Sequence, residues 1–154
     1  MNQEIFRAMH ARIDDTIKQH GRALQGVGGD GTTPPFCYTI GHHRRGMPEL
    51  LVIGGASGGY AGLLNAIGDR MYAGDVVAKD DMEVKVGRFP VRLREVGATA
   101  RAEWTIQAGQ NLESEDYRVM QVVLCDPQGR WPEDPECQAD FKAQILLPRV
   151  AEDA

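Results

Sequence analysis

The hydrophobic pattern along the chain changes period several times, and each change marks an element. Over residues 3–20, Phe6, Met9, Ile13 and Ile17 recur at three- and four-residue steps, with Arg7, Arg12, Asp14, Asp15 and Lys18 elsewhere on the wheel. That is the stripe of an amphipathic helix. Gly21 follows as a C-cap, because glycine tolerates a positive φ. Strand-length segments come next at residues 22–27, 36–41 and 50–54, separated by one glycine-rich and one polar connection. Ser57 is placed to cap a second helix whose buried stripe is Tyr60, Leu63, Leu64, Ile67 and Met71, ending at Gly74. Residues 82–86 and 88–96 alternate, with Phe89, Val91 and Leu93 on one face and Arg88, Arg92 and Arg94 on the other. Such period-two alternation belongs to half-buried strands. Residues 99–110 suit a short helix around 102–108, 117–124 a central strand, and Asp126-Pro127-Gln128-Gly129 a tight turn.

One helix, three strands, a second helix and several antiparallel strands predict an α+β fold. Its expected form is a curled, mostly antiparallel sheet or a small, split-barrel-like β-barrel with two flanking helices. No repeat or composition break divides the chain, so residues 1–154 are expected to form a single domain. Residues 1–20 are its N-terminal helix. An acidic, proline-rich tail over 133–154 offers Phe141, Ile145, Leu146 and Leu147 for partial docking.

Composition narrows the function classes. The 154 residues carry 17 Lys plus Arg against 22 Asp plus Glu, a net charge of −5. This is a poor footprint for general nucleic-acid binding, which needs a basic surface. No apolar run approaches the roughly 20 residues of a membrane helix. The N-terminus lacks the apolar stretch of a signal peptide, which points to a cytoplasmic protein. Cys37, Cys125 and Cys137 are odd in number and form no CxxC pair, so neither a disulfide framework nor structural zinc is expected. Glycine is the anomaly: 14 of the 18 lie between Gly21 and Gly74.

Two glycine-rich stretches imitate known motifs. Residues 26–31 match G-x-G-x-x-G, but a strand follows where that motif needs a helix to aim at a pyrophosphate. Residues 55–59 match G-x-S-x-G between a strand and a helix, yet all four histidines precede Ser57, against the order of that enzyme class. Ser57 is therefore read as a helix cap, and Gly58 beside it as backbone free to hold an anion at the helix start. His42-His43-Arg44-Arg45 is the densest polar group. It reads as a solvated loop, as a contact for phosphate or carboxylate through the two guanidiniums, or as a metal site with Cys37 for which no third ligand is evident. Tyr38 and Trp131 offer stacking surface, although each also suits a packed role. Arg88, Arg92 and Arg94 read as a solvated or acid-paired face, or as a polyanion contact.

The landmarks together resemble a known family. They are His20-Gly21, Pro35-Phe36-Cys37-Tyr38-Thr39-Ile40-Gly41, Pro48-Glu49-Leu50, Leu63-Leu64-Asn65, Gln121, and Asp126-Pro127-Gln128-Gly129-Arg130-Trp131-Pro132. Over about residues 12–148 this is similar to the bacterial domain-of-unknown-function 4262 family. Three places depart from that pattern: His42 stands where it has Leu, Met47 where it has His, and Trp131-Pro132-Glu133 where it has Phe-Pro-Trp. The strand–strand–helix start also resembles the split-barrel flavin-binding fold.

Two functions follow as expectations. The first is a binding site for a small anionic ligand (a nucleotide, flavin or phosphorylated metabolite) where residues 38–45 meet the helix start at 54–59. Tyr38, His42, His43, Arg44, Arg45, Ser57, Gly58 and Trp131 are its candidate residues, and His42 or His43 its proton-transfer groups. The second is a non-enzymatic interaction or regulatory module, in which a homodimer is one form. Flavin and nucleotide are the cofactor classes the first reading suits; no metal is assigned, and no catalytic set is complete.

Overall fold

The computed structural model describes residues 2–29, 34–54 and 60–150. The expected Ser57 cap, Gly58 and the end of the 26–31 glycine stretch lie outside them. Helix α1 (Gln3–His20) forms where its stripe predicts it. Asn2 caps its start by accepting from the Glu4 N–H at 2.7 Å, and Gly21 ends it at φ 88°. The other helices are α2 (Tyr60–Tyr72), α3 (Ala98–Trp104), α4 (Ile106–Leu112) and α5 (Ala139–Lys142). His42–Arg45 forms one turn of 3-10 helix rather than a loop.

The strands are β1 (Ala23–Val27), β2 (Phe36–Ile40), β3 (Glu49–Ile53), β4 (Met82–Val86), β5 (Phe89–Glu95) and β6 (Val119–Leu124). They form one sheet in the order β1-β2-β3-β6-β5-β4, antiparallel throughout except for the parallel pair β3–β6. The fold is therefore α+β, but the expected barrel and the two-helix count are corrected. The β1–β2 hairpin extends the sheet on one side of the β3–β6 pair and the β4–β5 hairpin on the other. Growth in opposite directions leaves β1 and β4 as separate edges, so the sheet stays open.

Strand alternation sends successive residues to opposite faces, and each face has its own core. Leu50 and Val52 of β3 join Val91, Leu93, Met120 and Val122 beneath Leu64, Ile67 and Met71 of α2. Leu51 and Ile53 point the other way, with Tyr38, Ile40 and Val119, against Ile13 of α1, Ala100 of α3 and Ala108 of α4. All five residues of β3 are buried, and each of its four aliphatic side chains stabilises by about 1.5–3 kcal/mol. The sheet thus lies between α2 on one face and α1, α3 and α4 on the other.

The expected single helix around 102–108 is instead two, broken at Thr105. Its hydroxyl lies 2.6 Å from the Arg101 carbonyl and 2.7 Å from the Tyr117 hydroxyl, so a side chain competes for the helix's own bonds. The tail docks through glutamines. Gln121 donates to the Ile145 carbonyl at 2.5 Å and accepts from the Leu147 N–H at 2.9 Å. The turn at 126–129 closes with the Gly129 N–H donating to the Asp126 carbonyl at 2.8 Å. Buried Asp126 accepts backbone N–H bonds from Gln128, Arg130 and Gln138 at 2.8–3.1 Å. Among the described residues no helix is long and apolar enough to cross a membrane.

Candidate functional site

The β2–β3 connection is built around a buried carboxylate. Glu49 is fully buried at the start of β3. Its Oε1 accepts from the Thr39 hydroxyl at 2.7 Å and the His42 N–H at 3.1 Å, and its Oε2 from the Gly41 N–H at 3.1 Å and the His43 N–H at 3.0 Å. These backbone donors open the 3-10 turn, where free N–H groups favour negative charge. Burial still pushes the Glu49 carboxyl above its usual range, with the four hydrogen bonds pulling it back. Gly41, at φ 124°, supplies the bend that aims three consecutive N–H groups inward.

His42 is held on both ring nitrogens. Nδ1 lies 3.0 Å from the Pro48 carbonyl, which only accepts, so Nδ1 carries the proton. Nε2 then accepts from Arg22 Nε at 2.9 Å. The ring is fully buried. Burial first, opposed by the Pro48 bond and reinforced by the Arg22 and Arg45 charges, lowers its pKa to about 4. Both nitrogens of the neutral ring are thus engaged within the fold, by Pro48 and by Arg22.

Arg22 is the centre of the arrangement. Only 6% of it is exposed. Beyond His42, its Nη1 donates to Asn65 Oδ1 at 3.1 Å and Asp69 Oδ1 at 2.9 Å. Its Nη2 is buried without a hydrogen-bond partner among the described residues. The guanidinium stacks 4.6 Å from the Tyr72 ring centre, while Arg45 stacks on the same ring at 3.9 Å. A Cβ at Gly68 would lie 2.8 Å from Arg22 Cζ, Nε and Nη2, so only glycine lets α2 approach this closely. A recess of about 470 Å³ opens here, lined by Thr16, His20, Arg22, Leu24, Asn65 and Asp69.

Of the expected site residues that lie among the described ones, neither Tyr38 nor Trp131 lines the Arg22 recess. β2 and β3 are antiparallel, so Gly54, whose N–H donates to the Pro35 carbonyl at 3.0 Å, lies at the opposite end of the strands from His42–Arg45. Five residues of strand separate the two ends, about 16 Å. It is the C-terminal half of α2, running back along the sheet, that reaches His42 through Arg22. Tyr38 is fully buried, with its hydroxyl donating to Gln107 Oε1 and accepting from the Gln107 N–H, so it presents no surface for stacking on a ligand. Trp131 packs under the Arg92 guanidinium at 4.2 Å, on the β5 side of the sheet. Arg44 is ion-paired with Asp14 at 2.6 Å, which holds the Asp14 carboxyl below its usual range. His43 is half-buried, its ring 6.5 Å from that of Tyr117. On the basic strand face, Arg92 pairs with Glu133 at 2.5 Å and Arg94 donates to the Leu147 carbonyl at 3.1 Å. Among the described residues no group of three or more His, Cys, Asp or Glu is placed to hold a metal ion.

Sequence reasoning passed over Arg22, Asn65, Asp69 and Tyr72. Asn65 and Asp69 are four residues apart on α2, hence on one helix face, and that spacing was the available signal. Fold and site together define an α+β domain with a buried arginine beside a recess bordered by α1 and α2. The family model described as Domain of unknown function (DUF4262) matches residues 16–138, so the chain belongs to that family. No curated protein and no solved structure matches the chain.

Proposed function

We propose that this protein binds a small anionic molecule in the recess beside Arg22. The observation that carries the reading is a recess lined by Arg22, whose buried guanidinium keeps one amino group without a hydrogen-bond partner among the described residues. A buried, incompletely paired donor is costly, and an anion entering the recess relieves that cost. The recess volume of about 470 Å³ falls within the range of small-ligand sites. Thr16, His20 and Asn65 add hydrogen-bonding groups at its wall, and Leu24 an apolar one. Nucleotides, flavins and phosphorylated metabolites remain the classes to test, with Arg22 taking the place first assigned to the His42–Arg45 turn. The reading is of binding and assigns no reaction.

The test is thermal unfolding of the wild-type protein against a panel of these molecules and of small metabolite carboxylates. Saturating a site a hundredfold above Kd adds about 2.7 kcal/mol, or roughly 5–10 °C in Tm. Such a shift, reduced in Asn65→Ala, supports the reading. A panel that leaves Tm unchanged at millimolar concentration overturns it.

A further inference from the structure

The two partners of the Arg22–Asp69 pair are unequal. The Arg22 side chain is 5% exposed and that of Asp69 72% exposed. The arginine is fixed by His42, Asn65 and the Tyr72 ring. The aspartate touches Nη1 alone and leaves Nη2 unused. A guanidinium binds a carboxylate best through two parallel N–H bonds, so a one-point contact is the weaker arrangement. An exposed side chain held by one such bond also contributes little stability.

We propose that Asp69 is a built-in placeholder: its carboxylate occupies the position on Arg22 that a ligand carboxylate takes, and the ligand enters by displacing it. This rests on the reading of the recess as the ligand site, and narrows its ligand to a small carboxylate. Three features favour that class. Asp69 is itself a carboxylate seated at Arg22. Arg22 is the one Lys or Arg among the described residues lining the recess, a single charge that suits a monoanion. The planar fork of Nη1 and Nη2 matches two coplanar oxygens. With Asp69 swung into solvent, Asn65 keeps its bond to Nη1 and the entering carboxylate spans both terminal nitrogens.

The experiment compares wild type with Asp69→Ala, using formate and acetate as probes against sodium chloride of equal ionic strength. Removing a tethered competitor, whose effective concentration is in the millimolar range or above, tightens binding by about tenfold or more. Expected are a carboxylate-specific rise in Tm that is larger in Asp69→Ala than in wild type, and a saturable shift of the Arg22 Nε–H signal in ¹⁵N-correlated NMR spectra of the variant. The NMR signal reads Arg22 directly, without a substitution that would unmake the core around it. Equal Tm responses in both proteins overturn the proposal, as do a variant indifferent to formate and acetate, or an Arg22 signal that does not move. Inorganic phosphate stabilising the variant as well as formate does overturns the carboxylate assignment. Formate and acetate report on Asp69 alone, whereas the wild-type ligand panel reports on the parent reading, so the two can fail separately.

Discussion

Replacing Glu49 by Gln preserves size and shape while turning one carboxylate oxygen into a donor. Every partner of Glu49 is itself a donor, so the amide has no satisfactory orientation. With its NH₂ in the Oε2 position it faces the Gly41 and His43 N–H groups, and both are orphaned. With the NH₂ in the Oε1 position it faces the His42 N–H and the Thr39 hydroxyl, which already accepts from the Leu50 N–H at 2.9 Å. One or two buried donors are left unpaired, at about 1–3 kcal/mol each. Relief of the buried charge returns part of this, so the net loss expected at pH 7 is about 1–3 kcal/mol. Against a typical total of about 5–15 kcal/mol, that is readily seen in urea denaturation. Hydrogen exchange should quicken at amides 41–43. The pH dependence supplies a second arm. A carboxyl whose folded pKa is raised makes the native state bind protons more readily than the unfolded chain, which titrates near 4.5. Its contribution therefore improves as pH falls from the raised value toward 4.5, and Glu49→Gln lacks that gain. A variant as stable as wild type at pH 7, with unchanged exchange at 41–43, would refute the role assigned to this carboxylate.

His42 contributes a slope of opposite sign. Its pKa is about 4 folded against the usual 6.5 of a free imidazole, so the unfolded chain binds the proton first and stability drops as pH falls from about 6.5 to about 4. The slope is at most about 1.4 kcal/mol per pH unit. His42→Gln should flatten it when urea midpoints at pH 7 and pH 5 are compared, and an unaltered slope counts against the buried neutral ring. Two alanine substitutions on α2 should act oppositely in thermal melts. Gly62→Ala meets nothing within 4 Å and should gain up to about 1 kcal/mol of helix propensity. Gly68→Ala puts its Cβ 2.8 Å from three guanidinium atoms, and overpacking of about 1–3 kcal/mol should outweigh that gain. Equal effects at the two positions would mean that α2 does not rest on Arg22.

What the sequence shows is what local periodicity encodes. The stripe of Phe6, Met9, Ile13 and Ile17 gives α1 with its ends, and residues 82–86 give β4. Thr105 hides the break between α3 and α4, because it acts through a side-chain bond rather than as Gly or Pro. The parallel pairing of β3 with β6 is a long-range choice that no local pattern carries. Strands joined by a short connection run antiparallel, so the turn after β2 and the end of β3 lie at opposite ends of the pair, a constraint legible in the sequence. Arg22 escaped for a different reason. At the head of a strand it reads as an exposed flank, and its burial becomes visible only once Gly68, a helical glycine with no local purpose, is laid against it.

The same geometry gives the residue pattern over 38–50 a physical meaning. In the run from Tyr38 and Thr39 through Gly41 to Pro48-Glu49-Leu50, the threonine hydroxyl, three backbone N–H groups and the glycine bend all serve one buried carboxylate. Pro48 then fixes the His42 tautomer. The pattern therefore builds a rigid turn, and the ligand chemistry proposed here lies one layer away, on Arg22. The link between the two is His42, whose Nε2 accepts from Arg22 Nε. A leucine there would leave Arg22 Nε–H without its acceptor and the guanidinium free to tilt out of its fork toward Asn65 and Asp69.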